Sequence, residues 1–258
     1  MTGAIRLEFL KLRTTRMWLG LLALGAGLTI LVAVFESARS GGGGAVPSLA
    51  TIVGQRDILT TTGFGLLVSM VFGTTVVTGE FRHKTITDTY LDQPDRVRVL
   101  AAKVTVAASA GGLFGLAAAA VTTAAAVGFT AVKGYHFAFS AAAVTRYGAG
   151  AVLGAALLAG AGAGLGALVR NQLAAASVVF AWAFAVEQLL GALDKPLAPY
   201  LPVIAASTMA GAAGNTTMPP VPAGITELPF GGAAALLAGL AVVLAVAAAL
   251  TTARRDIT

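Results

Sequence analysis

The sequence predicts an all-α integral membrane protein with six transmembrane helices. Three observations lead there. Of 258 residues, 57% are hydrophobic and only 11% are charged, where soluble domains carry about 25% charge. The mean hydropathy is +0.85. Runs of about 20 predominantly apolar residues, each long enough to cross a bilayer, recur near 17–35, 58–79, 103–130, 145–169, 173–191 and 231–252. One transmembrane domain, residues 1–258, accounts for the whole length.

The first element is GAIRLEFLKLRTTR, residues 3–16. It puts Ile5, Phe9 and Leu12 on one helical face, with Leu7 and Leu10 off it. An interfacial helix under the lipid headgroups fits its basic residues, and so does a plain basic tail. The apolar run that follows is about 19 residues, longer than the 7–15 of a signal-peptide core, and reads as an uncleaved first span. GGGGAVPS, residues 41–48, lacks the lysine and hydroxyl in register that a phosphate loop needs, and reads as a flexible linker. No other stretch supplies a nucleotide-binding motif, so ATP hydrolysis would have to come from a partner chain.

Six spans put both termini on one side, and the basic residues test that count. One set of connecting segments holds Arg6, Lys11, Arg13, Arg16, Arg82, Lys84, Arg96, Arg98, Lys103, Arg170, Arg254 and Arg255. The opposite set holds only Arg39, Arg56, Lys133, Arg146 and Lys195. Because positive residues accumulate on the cytoplasmic side, the asymmetry predicts a multi-pass protein of the plasma (cytoplasmic) membrane with both termini in the cytoplasm. The formal net charge of +6 then belongs beside the cytoplasmic leaflet, and the lipid bilayer, not nucleic acid, is the expected partner.

Between spans two and three, TGEFRHKTITDTYLDQPDRVRVLAAK (residues 78–103) gathers nine of the 28 charged side chains, 17 basic plus 11 acidic. A charged side chain costs about 2.5–3.5 kcal/mol at a bilayer centre, so Glu80, Arg82, Lys84, Asp88, Asp92, Asp95, Arg96, Arg98 and Lys103 are expected in water. The pattern predicts a short helix over 81–91 carrying Phe81, Ile86, Tyr90 and Leu91, with Glu80 four residues before Lys84 in the orientation that favours a charge pair. Pro94 stops it, and Arg96 to Lys103 form a basic entrance to span three. A solvated loop and a docking surface both fit these residues.

The pattern G-E-x-R-x-x-T, then a leucine, then P-x-R-x-R and a lysine, is carried by Gly79, Glu80, Arg82, Thr85, Leu91, Pro94, Arg98 and Lys103, with Arg96 as the first arginine after the proline. It resembles the cytoplasmic segment between spans two and three of ABC-2-type transporter permeases. The likeness extends to the basic N-terminal helix, the six spans, a small-residue-rich span four ending in LVRNQLAAA (168–176), and RRD at 254–256. Lys84 departs from it, standing where many members have glycine, as do Asp92 and Gln93, which replace small or apolar residues. The resemblance implies a permease subunit of an exporter of a hydrophobic drug, peptide, lipid or similar cargo. It implies a coupling helix docked on a separate ATPase subunit that binds ATP and Mg, and a second permease copy or a homologous permease. The implied ATPase-coupling residues are Glu80, Phe81, Arg82, His83, Lys84, Thr85, Asp88, Tyr90 and Leu91.

Span four, GAGAVLGAALLAGAGAGLGALV (148–169), has Gly150/Gly154, Gly160/Gly164 and Gly162/Gly166 each four apart. Small residues at that spacing let membrane helices approach closely, so this span is expected inside the bundle. In span five Glu187 follows Trp182, and an ionisable group in a span is a candidate substrate or gate residue. It fits an outer headgroup position as well. Residues 192–230 hold seven of the nine prolines. Within them LPVIAASTMAGAAG (201–214) is apolar but too short to cross, and fits either a re-entrant segment or an ordinary outer loop.

Zero cysteines exclude disulfides and thiolate chemistry, while His83 and His136, far apart in sequence, argue against a histidine-based metal site. No cofactor and no catalytic residue is expected in this chain, and it is not predicted to be an enzyme. Two rivals remain at this stage. A membrane scaffold or ATPase-independent channel would act without an ATPase. An intramembrane enzyme would need several converging polar groups, and Glu187 is the lone acid well inside a span.

Overall fold

The computed structural model describes residues 2–40, 47–93, 95–212, 214 and 220–254. The predicted linker residues 41–46, Pro94, Arg255 and Asp256, and the side chains of Asp88, Tyr90, Asp92 and Arg254, lie outside the described set. Every regular element among the described residues is helical. Six segments are long and apolar enough to cross a membrane: Met17–Arg39, Ile52–Arg82, Arg96–Val132, Ala141–Val169, Gln172–Leu193 and Phe230–Thr251. The chain is a multi-pass membrane protein.

In chain order the helices are α1 (Thr2–Thr14), α2 (Met17–Arg39), α3 (Ile52–Leu59), α4 (Gly63–Arg82), α5 (Ile86–Asp92), α6 (Arg96–Val132), α7 (Ala141–Val169), α8 (Gln172–Ala181), α9 (Glu187–Leu193), α10 (Pro202–Met209) and α11 (Phe230–Arg254). Several begin at side-chain caps that offer an acceptor to an orphan backbone N–H. Asp95 accepts from Arg98 N at 3.0 Å, and Asn171 accepts from Ala174 N at 3.0 Å.

Span four is the hub of the bundle, with α4, α6, α10 and α11 packed around α7. Its three glycine pairs serve different neighbours. A methyl group at Gly162 or Gly166 would run into the Met70 and Thr74 carbonyls of α4; at Gly150 it would strike the Met209 carbonyl at the end of α10; at Gly164 it would meet Leu244 and Ala245 of α11. The expectation that protein covers this span holds because backbones, not side chains, meet at these contacts.

Two spans differ from their predicted outlines. Span two is broken at Thr60–Thr62, where the Thr60 and Thr61 hydroxyls donate back to the Arg56 and Asp57 carbonyls at 2.9 and 2.6 Å. These hydroxyls offer the backbone an alternative to helix continuation. Span three begins at Arg96, so the basic entrance is helix as well. At 37 residues α6 is about 55 Å long, against a hydrocarbon core of about 30 Å, and projects beyond it. Between spans five and six, α10 is not an exposed loop: Val203 through Met209 are all buried, against α7, α11 and α4.

Candidate functional site

The end of the bundle that carries α1, α5 and most basic residues holds a cluster of four charges, three of them buried and the fourth, Lys11, partly exposed. Lys103 of α6 lies at its centre, 2% exposed. Its ammonium donates to Glu80 Oε1 of α4 at 2.6 Å and to Glu8 Oε2 of α1 at 2.8 Å. Lys11 of α1 donates to the same Glu80 oxygen at 2.9 Å, to Glu8 Oε1 at 3.1 Å and to Thr89 Oγ1 of α5 at 3.0 Å. Two carboxylates and two ammoniums sum to zero, the condition under which charges tolerate burial. Burial alone would lower the pKa of Lys11, but its hydrogen bond to Glu80 and the Glu8 charge outweigh that, and it ends above its ordinary value.

This cluster corrects three sequence expectations. Glu80 and Lys103 are not in water but sealed inside protein, and Glu80 pairs with Lys11 and Lys103, not with Lys84. The face of α1 turned to the bundle carries Ala4 and Glu8, both buried, and Leu12, which packs against the core beside Trp18, while Phe9 is exposed. The physical reason is common to all three: once packing takes Glu80 and Lys103 out of water, only opposite charges at hydrogen-bonding distance offset their desolvation, a need that outweighs one local i,i+4 pair worth about 0.3–0.5 kcal/mol. Glu8 and Lys11 were not singled out from sequence, although Glu8 is the lone acid in the first 35 residues.

The continuous helix expected over 81–91 is likewise two pieces. Glu80, Phe81 and Arg82 end α4, a turn covers His83 and Lys84, and α5 starts at Ile86. Lys84 sits at φ +57°, the left-handed region that glycine occupies without cost. Its departure from glycine therefore falls where the backbone most favours glycine. On α5, Ile86 and Thr89 are buried three apart, while Leu91 is 76% exposed. Phe81 is half-buried beneath the Arg170 guanidinium, 5.6 Å from its ring centroid. Arg82, His83, Lys84 and Thr85 are exposed, and Arg82 Nη1 donates to Gln172 Oε1 at 3.2 Å.

The structure does not bring Glu187 and Trp182 to this place; they lie at the opposite end, and to each other. A π turn, Trp182–Val186, interrupts span five and re-aims the next turn, as such bulges do. Glu187, fully buried, accepts from Trp182 Nε1 at 2.7 Å and Val203 N at 2.9 Å through one oxygen. Through the other it accepts from Ile204 N at 3.0 Å. The two amides are orphan donors of the first turn of α10, which starts at Pro202, so a residue 15 positions upstream caps that helix. Among the described residues no group of three or more His, Asp or Glu could hold a metal ion.

Comparison with protein-family models, with curated proteins and with solved structures finds no match to this chain. Fold and composition establish a helical protein with six candidate membrane-spanning helices.

Proposed function

We propose that this chain is the permease subunit of an ATP-driven exporter of the ABC-2 type, lying in the plasma membrane with both termini cytoplasmic. It would work as a pair with a second copy or a homologous permease, on two ATPase subunits that bind the ATP and Mg. The chain itself is a transport subunit and not an enzyme. Its cargo class under this reading is a hydrophobic drug, peptide, lipid or similar molecule.

One observation carries the reading. The segment that resembles a coupling helix presents Leu91, Lys84 and Thr87 outward, while Glu80 and Thr89 on its inner side are tied to α1 and α6 through Lys11 and Lys103. A force on the outer face of α5 therefore reaches α1 and spans two and three together, through charge-assisted bonds of which those to Lys103 are buried and those to Lys11 part-buried. Leu91, 76% exposed, is the apolar side chain on this outer face that a partner would cover.

The test is recovery of an ATPase with the tagged full-length chain from its own membranes, followed by nucleotide hydrolysis. Leu91→Asp and Lys84→Glu should lose the ATPase subunit and its hydrolysis while the variant chains remain in the membrane with unchanged melting. Retention of a working ATPase by both variants, or none recovered with the parent chain, overturns the reading.

A further inference from the structure

Beside the charge cluster, between α1, the start of α2 and the last turns of α4, lies a partly open cavity of about 550 Å³. Its volume falls in the range of small-molecule sites, about 300–1,000 Å³. Its wall has two chemically distinct ends. Leu12, Met17, Trp18, Phe72 and Val76 form the apolar end, and Lys11, Thr14, Arg82 and His83 the polar end.

The accessible wall on α4 runs from Val76 to Arg82, six residues or about 9 Å at 1.5 Å per residue. The polar end coincides with the entry of span one and the exit of span two, where headgroups lie. Trp18, at that entry, is the residue type that favours such a boundary.

Charge selects the head. Glu8, Glu80, Lys11 and Lys103 cancel one another. Arg82 enters no ion pair among the described side chains and bonds only the neutral Gln172 amide. The cavity mouth thus carries one surplus, exposed guanidinium, suited to a phosphate. Gly79 lines the chamber too, and a Cβ built on it would meet nothing within 4 Å, so the space beside it is free.

We propose that this cavity is a binding site for one anionic phospholipid of the adjacent leaflet, its phosphate at Arg82 and the start of an acyl chain along Trp18 and Val76. The site requires no ATPase and stands independently of the exporter reading.

Tryptophan quenching tests it, because the chain has two tryptophans and only Trp18 lines the cavity. The full chain in phosphatidylcholine nanodiscs is titrated with phosphatidylglycerol carrying brominated acyl chains, and in parallel with brominated phosphatidylcholine. Trp18→Phe identifies the Trp18 share of the signal. The expected result is saturable quenching of Trp18 by the phosphatidylglycerol at mole fractions where phosphatidylcholine has little effect. Arg82→Gln should weaken it about fivefold, the weight of one basic residue near an anionic leaflet. Gly79→Leu, which fills the chamber, should abolish it with Trp182 emission unchanged. Equal quenching by both lipids, or indifference to both variants, overturns the proposal. So does competition by free glycerol phosphate at the same concentration, which would mean an anion site that ignores the apolar wall.

Discussion

The molecule buries carboxylates at both ends, and the two ends satisfy them by different means. At the basic end Glu8 and Glu80 are matched by two ammoniums, with Lys103 sealed between them. At the far end Glu187 has no cation among the described residues and is held by an indole N–H and two backbone amides at a helix start. An ion cluster is symmetric in its needs: removing any member strands a partner in low dielectric. A carboxylate held by dipoles strands no opposite charge when it goes, and the vacated amides belong to one short helix. Damage at the basic end should therefore be global, and damage at the far end should stay near α10.

The sharpest way to break this comparison is Lys103→Met. It leaves Glu8 and Glu80 with Lys11 alone, and the loss expected for a broken buried pair is about 3–5 kcal/mol, read as a large fall in thermal stability in detergent. The double variant Glu80→Leu with Lys103→Met should recover most of that, since Glu8 and Lys11 still balance. A double variant as unstable as the single one would show that the cluster matters for shape and not charge.

Glu187→Ala should cost less, about 1–3 kcal/mol for the unsatisfied buried donors, with Glu187→Gln in between because one amide oxygen can still accept. Hydrogen exchange is the measurement that separates the ends. Faster exchange should concentrate at Val203 and Ile204, and spread of that effect to α1 or α6 would contradict the local picture.

A smaller effect sharpens the basic end. Lys84 holds a left-handed conformation that costs an ordinary side chain roughly 1–2 kcal/mol, partly offset by the greater entropy of glycine in the unfolded chain. Lys84→Gly is expected to raise stability by up to about 1 kcal/mol, visible as a few degrees in melting temperature. No rise would mean that the side chain contributes a contact of its own.

The smallest effect is the pH response of Lys11. Its folded-state pKa is raised, since the bonds to Glu80 and Glu8 outweigh its partial burial, so its stabilisation is complete below the ordinary lysine value, about 10.4. It declines as pH climbs through the raised folded value. Alkaline melting curves of the parent chain should fall more steeply in that window than those of Lys11→Met. Parallel curves would show that Lys11 is too solvated to contribute.

Much of this was legible beforehand, and what was not shares one cause. The six spans, the packing of α7 by its glycines and the short helix after span two follow from hydrophobic length, residue size and a charge run, all local quantities. The ion cluster was missed because Glu8, Lys11, Glu80, Thr89 and Lys103 come from four helices. Taken singly, a glutamate four residues before a lysine predicts the wrong pair. The break at Lys84 was missed for the same reason, since the ties from Glu80 and Thr89 hold a turn that a lysine would not choose. Glu187 was singled out as an acid in a span, but its partners Val203 and Ile204 are apolar side chains whose amides leave no signature in a residue code.

By itself, then, the sequence determined that this chain has six helices long and apolar enough to cross a membrane, and which of its helices sits in the middle. Hydrocarbon thickness and side-chain volume act residue by residue, and no neighbour is needed to read them. Which charges leave water, and what satisfies them there, only the tertiary structure decided. Burial of an ion is settled by whether opposite charges or free amides from other helices arrive within about 3 Å of it, and that depends on packing across the whole bundle.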